Sequence, residues 1–211
     1  DGTVQTVRQH CKNTAELAKK DLCKLGLADT AYLAGLLHDA GKCTDKFRNY
    51  IEKASRGENV YRGSVIHTFA AVRFLLNTYH SSSASEADLI KDATAEILSS
   101  AIGGHHGLFD CFDADRNCGF THRINKQPEY DDMAMAGFFK AVSDRDCIDR
   151  LFASAVGEIS SKNRLIDTVS KYPDESYFYL SLLTRLITSA LIDADRTDTS
   201  LFMSPDEHGE G

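Results

Sequence analysis

The chain has 211 residues, 42% of them hydrophobic and 26% charged, and a formal net charge of −7. That length carries one domain with a real core. The acidic balance excludes long-range attraction of a phosphate backbone, so any grip on nucleic acid has to be local, or borrowed from metal ions or a partner.

Apolar residues recur at three and four and β-branched alternation is scarce, which predicts an all-α chain. The first helix is expected over about residues 3–25, stopping at Gly26 as a C′ glycine. A second should run from about Thr30 to Gly41 with Asp29 as its N-cap. A third is expected over about 44–56, stopping near Gly57, and a fourth from Ser64 to about Tyr79. Ser85-Glu86-Ala87-Asp88 has the form of a capping box and opens a fifth helix to about Gly103. Residues 104–128, rich in glycine, Asp and Asn and holding Cys111, Cys118 and Pro128, read as one long loop of the kind that is functional or mobile. Helices follow at about 129–142, 146–157, 158–171 and 175–194. No internal repeat or domain boundary stands out, so residues 1–211 are read as a single domain.

No run of about 18 apolar residues indicates a transmembrane helix. The N-terminus lacks a secretory signal pattern, and both ends read as cut from something longer. The cysteines Cys11, Cys23, Cys43, Cys111, Cys118 and Cys147 form no C-x-x-C pair. Even Cys111 and Cys118 are too far apart for a zinc ribbon. They are expected to be reduced thiols in a cytoplasmic protein.

The chemistry is concentrated in Leu36-Leu37-His38-Asp39-Ala40-Gly41-Lys42. A His-Asp pair at the end of an apolar helix offers a nitrogen ligand and a hard oxygen ligand from one backbone turn. Asp39 could bind one ion through each oxygen. Gly41 should let the backbone leave the helix so that Lys42 faces the site. Single companions are spread along the chain: His10, His67, the adjacent His105-His106 between glycines, and Asp195 in Asp193-Ala194-Asp195-Arg196. Ligands drawn from five helical segments are what an interior metal site in a bundle requires. Imidazole and carboxylate together suit Mn, Fe, Co, Ni or Zn. Asp193 and Asp195 point to different sides of a helix, so both cannot serve alike. His80, His122 and His208 lie in polar loop sequence and are read as non-ligands. Arg123 and Arg196 are candidate phosphate contacts. Phe109, Phe112 and Phe120 could stack bases, although such residues more often pin a loop to the core.

In that order the residues resemble the HD superfamily of metal-dependent phosphohydrolases, and more narrowly the HD nuclease domain of the CRISPR-associated type I helicase-nuclease. The resemblance is carried by His10 followed by small residues to Ala18, by Leu-His-Asp-x-Gly-Lys, and by Phe47 to Tyr50. It continues through His67 with Ala70 and Ala71, His-His-Gly, and Asp193 to Thr199. It implies an HD-domain helical bundle with an interior metal site. His38, Asp39 and Asp195, joined by His10, would match the core ligands, with Asp195 rather than Asp193 selected because the family usually shows Ala-Asp followed by a large residue; His67, His105 and His106 would match those of a second ion. Asp39 and Lys42 are the expected catalytic residues, with one or two divalent transition metal ions (Mn, Ni, Co or Fe; Zn possible) as cofactors. The implied activity is hydrolysis of single-stranded DNA by a metal-activated water. The implied partners are a helicase domain or subunit, fused or separate, and an RNA-guided CRISPR surveillance complex, with no membrane. No phosphate-cradling Gly-x-x-x-x-Gly-Lys-Ser/Thr motif is present, so only the nuclease part is represented. Two other readings stay open: an HD-type nucleotide or cyclic-nucleotide phosphohydrolase, and a catalytically degenerate HD binding module.

Overall fold

A computed structural model of the chain describes residues 4–61, 65, 67–81, 85–106, 119–125, 131–169 and 172–204. Among them there is no strand. The helices are α1 (Val7–Leu22), α2 (Ala28–Leu37), α3 (Asp45–Ser55), α4 (Ala70–Tyr79), α5 (Glu86–Gly104), α6 (Gly119–Ile124), α7 (Asp131–Ala141), α8 (Arg145–Val169) and α9 (Pro173–Met203).

α2 is the hub. It is apolar on all sides, and Thr30, Ala31, Leu33, Ala34, Gly35, Leu36 and Leu37 are all buried. A helix with no polar face must be surrounded, and α2 packs against α1, α5, α8 and α9. Its closest neighbour is α1, for a steric reason. A Cβ on Gly35 would lie 2.6 Å from Ala15 Cα, so the backbones touch where glycine faces alanine. That contact brings His10 of α1 beside His38 at the end of α2.

The start of α1 is fixed by a capping box, in which Thr6 accepts from Gln9 N–H and the Gln9 side chain accepts from Thr6 N–H. Its end is a short 3₁₀ turn, Cys23–Leu25, closed by Gly26 at φ 65° as expected. The start of α2 differs from the expectation. The N-cap is Leu27, not Asp29, and no side chain of the flanking residues caps it. Glu158 of α8 does so instead. Its carboxylate accepts from Asp29 N (3.1 Å), Thr30 N (2.8 Å) and the Thr30 hydroxyl (2.7 Å). Asp29 turns outward and accepts from Ser154 of α8. A negative charge placed on the orphan N–H groups of a helix satisfies them and complements the dipole.

Several other expectations are corrected. α4 begins at Ala70 rather than Ser64, so His67 stands before the helix rather than within it. α8 is one helix where two were expected, because Ile148, Phe152, Ala155, Ile159 and Ile166 keep a single buried face through Gly157. α9 continues to Met203, well past residue 194. The stretch read as loop over 104–128 contains α6, whose Phe120 packs on Phe69 at 5.8 Å. Residues 107–118 and 126–128 of it, with Phe109, Phe112, Cys111 and Cys118, lie outside the described residues. The fifth helix opens as expected, with Ser85 accepting from Asp88 N. Cys11, Cys23, Cys43 and Cys147 are free thiols. No described helix is long and apolar enough to cross a membrane.

The cap on α2 gives the first prediction. Glu158→Ala leaves two N–H groups and a hydroxyl without a partner, so urea unfolding should show a loss of about 1–3 kcal/mol. A loss below about 0.5 kcal/mol would mean that water replaces the carboxylate at no cost.

Candidate metal centre

α2 ends at Leu37. His38 occupies the C-cap position with helical backbone angles, and Asp39 leaves the helix at φ −109°, ψ 19° before a 3₁₀ turn over Ala40–Lys42. Because the helix stops between them, neighbouring residues that would diverge on a helix point into one site. The turn is pressed against the segment before α4. A Cβ on Gly41 would fall 1.8 Å from His67 O, so the glycine serves this close approach rather than a release from the helix.

The structure brings His10, His38, Asp39, His67, His105, His106 and Asp195 together. Asp39 is at the centre and 1% exposed. Its two oxygens face different groups. Oδ2 lies 3.3 Å from Nε2 of both His10 and His38, and 2.5 Å from Lys42 Nζ. Oδ1 lies 3.9 Å from His67 Nε2 and 4.0 Å from His105 Nε2. Despite these neighbours, neither oxygen receives a hydrogen bond of proper alignment, and His105 Nε2 has no partner either. Asp195 Oδ1 is 3.0 Å from His10 Nε2 and 3.7 Å from His38 Nε2. Asp193 is exposed, whereas Asp195 is half-buried and faces the cluster. Three sets each place one ligand atom per residue within 4.8 Å of the others: His10, His38, Asp195; His38, Asp39, His105; and Asp39, His67, His106.

The histidine tautomers follow from their outer contacts. A carbonyl or carboxylate oxygen cannot donate, so the ring nitrogen that meets one carries the proton. Nδ1 of His38 donates to Gly35 O at 2.7 Å, Nδ1 of His105 to Ile102 O at 2.6 Å, and Nδ1 of His67 to Val65 O at 3.3 Å. Nδ1 of His10 donates to Asp198 at 2.6 Å. All four rings therefore turn Nε2 inward. Two pairs of these nitrogens face each other, His10 with His38 at 3.2 Å and His67 with His106 at 3.0 Å. Opposed lone pairs repel unless a cation or a proton sits among them. Inward Nε2, outward Nδ1–H and a buried carboxylate whose oxygens lack aligned hydrogen bonds are the features of a metal-binding shell with its outer supports in place. The donor set fits a divalent transition ion.

Titration behaviour divides the row in two. Burial opposes charge on His10 and His38, but the carboxylates outweigh it. Asp195, Asp39 and Asp198 raise His10 to about 10, and Asp39 and Asp195 raise His38 to about 9. Burial, then the charges of His38 and His106, push His105 down to about 3. Burial also lowers His67 and His106. Burial works against the charge on Asp39 and on Asp195 as well, yet His10 and His38 hold both carboxyl groups below the usual carboxylate range. The 3.2 Å between His10 Nε2 and His38 Nε2 leaves room for one proton between them, not two.

The remaining expectations resolve simply. His80 pairs with Glu96 at 2.9 Å, and His122 is exposed on α6; neither falls in the ligand sets. His208 lies outside the described residues. Arg196 and Arg123 are exposed. Phe120 is pinned to Phe69. Sequence reasoning missed Asp198, which lies one helical turn beyond Asp195. The i, i+3 spacing of the two acids was the available signal.

Residues 7–128, more than half of the chain, match the family model described as HD domain. No curated protein matches the chain.

A metal ion shared by His10 and His38 would have to displace any proton that their Nε2 atoms hold. At about pH 7.5 binding of Mn²⁺ should release about one proton, read from the dependence of calorimetric heat on buffer ionisation. Affinity should rise with pH up to about 9–10, because the proton competes until His10 and His38 have lost it. Binding without proton release would show that the two rings are already neutral.

Proposed function

The chain belongs to the HD domain family, a superfamily of metal-dependent phosphohydrolases, and from that premise we propose that it is a nuclease hydrolysing single-stranded DNA in CRISPR interference. HD domains bind divalent metal ions. The observation that carries the reading of this site is the pair of opposed Nε2 contacts, at 3.2 Å and 3.0 Å, set around a buried Asp39 whose oxygens lack aligned partners. His10, His38 and Asp195 would hold one ion, and His67, His105 and His106 a second, with Asp39 offering an oxygen to each. A divalent ion there, Mn, Ni, Co or Fe with Zn possible, acidifies water and neutralises phosphate oxygens.

The chain's own residues do the rest. Asp39 supplies the shared negative charge. The Lys42 ammonium, half-buried beside it, offers a cation to a phosphate oxygen or to the leaving oxygen. A polymeric substrate is favoured over a free nucleotide by the exposure of the row. His106 is exposed and His67 is half-buried, so a phosphodiester within a long strand can approach the outer end from solvent. The preference for single-stranded DNA, the helicase domain or subunit, and the RNA-guided surveillance complex rest on the resemblance carried by the ordered motifs. The acidic net charge agrees with a nuclease that receives unwound strand from a partner. We place it in the cytoplasm on the same grounds.

With Mn²⁺, Ni²⁺ or Co²⁺ the protein should cut circular single-stranded DNA, leave duplex DNA largely intact and spare a panel of nucleotides. Asp39→Ala and His38→Ala should each lower cleavage by at least about a hundredfold while the fold persists. Hydrolysis of nucleotides with DNA untouched would instead establish the small-molecule branch of the family. Variants that cleave with undiminished metal dependence would refute the role of the row.

A further inference from the structure

Resting on the reading of the row as a metal centre, we propose that Asp198 is the positioning residue that fixes His10 as a ligand and sets how tightly the inner end of the row holds its cation. Asp198 is 4% exposed. Its Oδ2 accepts from His10 Nδ1 at 2.6 Å and from Gln5 Nε2 at 2.7 Å, and its Oδ1 accepts from Asn13 Nδ2 at 2.8 Å. Both oxygens are thus engaged on the far side of the imidazole from the cluster. Asp195, three residues earlier, faces His10 Nε2 at 3.0 Å. One turn of α9 therefore grips the same ring from both nitrogens, one acid on the metal side and one behind it.

His10 differs here from the other inward-facing rings. His38, His105 and His67 donate Nδ1–H to backbone carbonyls, those of Gly35, Ile102 and Val65. His10 alone among them donates to a carboxylate. An ionised acceptor holds the Nδ1–H tautomer more firmly and leaves more electron density on Nε2, which makes a stronger ligand. The acceptor is itself locked, since Asn13 comes from α1, one turn beyond His10, and Gln5 precedes the capping box that starts α1. Neither the orientation nor the tautomer of His10 is left to solvent.

The test measures Mn²⁺ binding to the full chain by calorimetry, with Zn²⁺-loaded protein for ¹⁵N spectra of the histidine rings. Asp198→Leu keeps the volume and removes the acceptor. Asp198→Asn keeps an amide oxygen for His10 if Asn13 turns its own amide, and loses only the charge. Asp198→Leu should weaken the tightest Mn²⁺ step by about 10–100-fold and abolish the His10 signal with protonated Nδ1 and metal-bound Nε2. Asp198→Asn should retain that signal with a smaller loss of affinity. A purely structural role would lower the melting temperature of both variants and leave affinity and spectrum unchanged, and that result overturns the proposal. If Asp198→Leu does not fold, Asn13→Leu frees one side of the carboxylate and should weaken Mn²⁺ severalfold; unchanged affinity there also overturns it. Wild-type protein that binds neither ion would remove the metal-centre reading and this inference with it. Tight wild-type binding with an indifferent Asp198→Leu would remove this inference alone.

Discussion

A carboxylate in the middle of a helical bundle constrains everything around it. Asp39 is ionised and almost wholly out of water, a state that costs several kcal/mol unless other charges answer it. The answer is assembled from separate elements: His10 from α1, His38 and Lys42 from the end of α2, and His67 and His105 from the ends of α4 and α5. The packing can be understood as what places them there. α1 and α2 touch through Gly35 and Ala15 so that two imidazoles meet over one oxygen. Gly41 lies against the His67 backbone so that a third approaches the other oxygen. α4 and α5 run in opposite directions, and the start of one meets the end of the other at the His67–His106 contact.

The row is not uniform along its length. At the inner end, three aspartates face two imidazoles and raise their affinity for a proton. At the outer end the imidazoles are neutral, and the acid they have is the single oxygen of Asp39. Ions would meet different fields at the two ends, with charge neutralisation dominating one and nitrogen donation the other. Exposure differs as well: His10 and His38 of the inner end are buried, whereas His106 of the outer end is exposed.

Most of the residues that meet around Asp39 were legible because each carried its own local mark: a His-Asp pair after an apolar run, two histidines between glycines, an acid after alanine. Helical geometry said that Asp193 and Asp195 could not both serve alike, and the Ala-Asp pattern of the resembled family pointed to Asp195. What escaped depends on contacts distant in sequence. Glu158 caps a helix that starts far upstream, and no window around Asp29 contains that information. Gly41 suggested backbone freedom, whereas the reason for glycine is a carbonyl of the segment before α4. The early start assigned to α4 followed apolar periodicity through His67, and the glycine contact at 41 shows why this residue must be held outside the helix. Asp198 was visible as part of a motif, but its task appears only when α9 is laid against α1.

That last contact has a topological consequence. His10 and Asp198 are 188 residues apart, so the inner end joins the first described helix to the last. A cation held there would act as a non-covalent clasp on a very long loop, whose closure entropy has already been met by the packing of α1 on α9. Until α9 has been made and has docked, the growing chain has the histidines but neither Asp195 nor Asp198. The sequence order of these residues thus delays completion of the site until α9 has been made, and a chain stopped before it carries only an unfinished site.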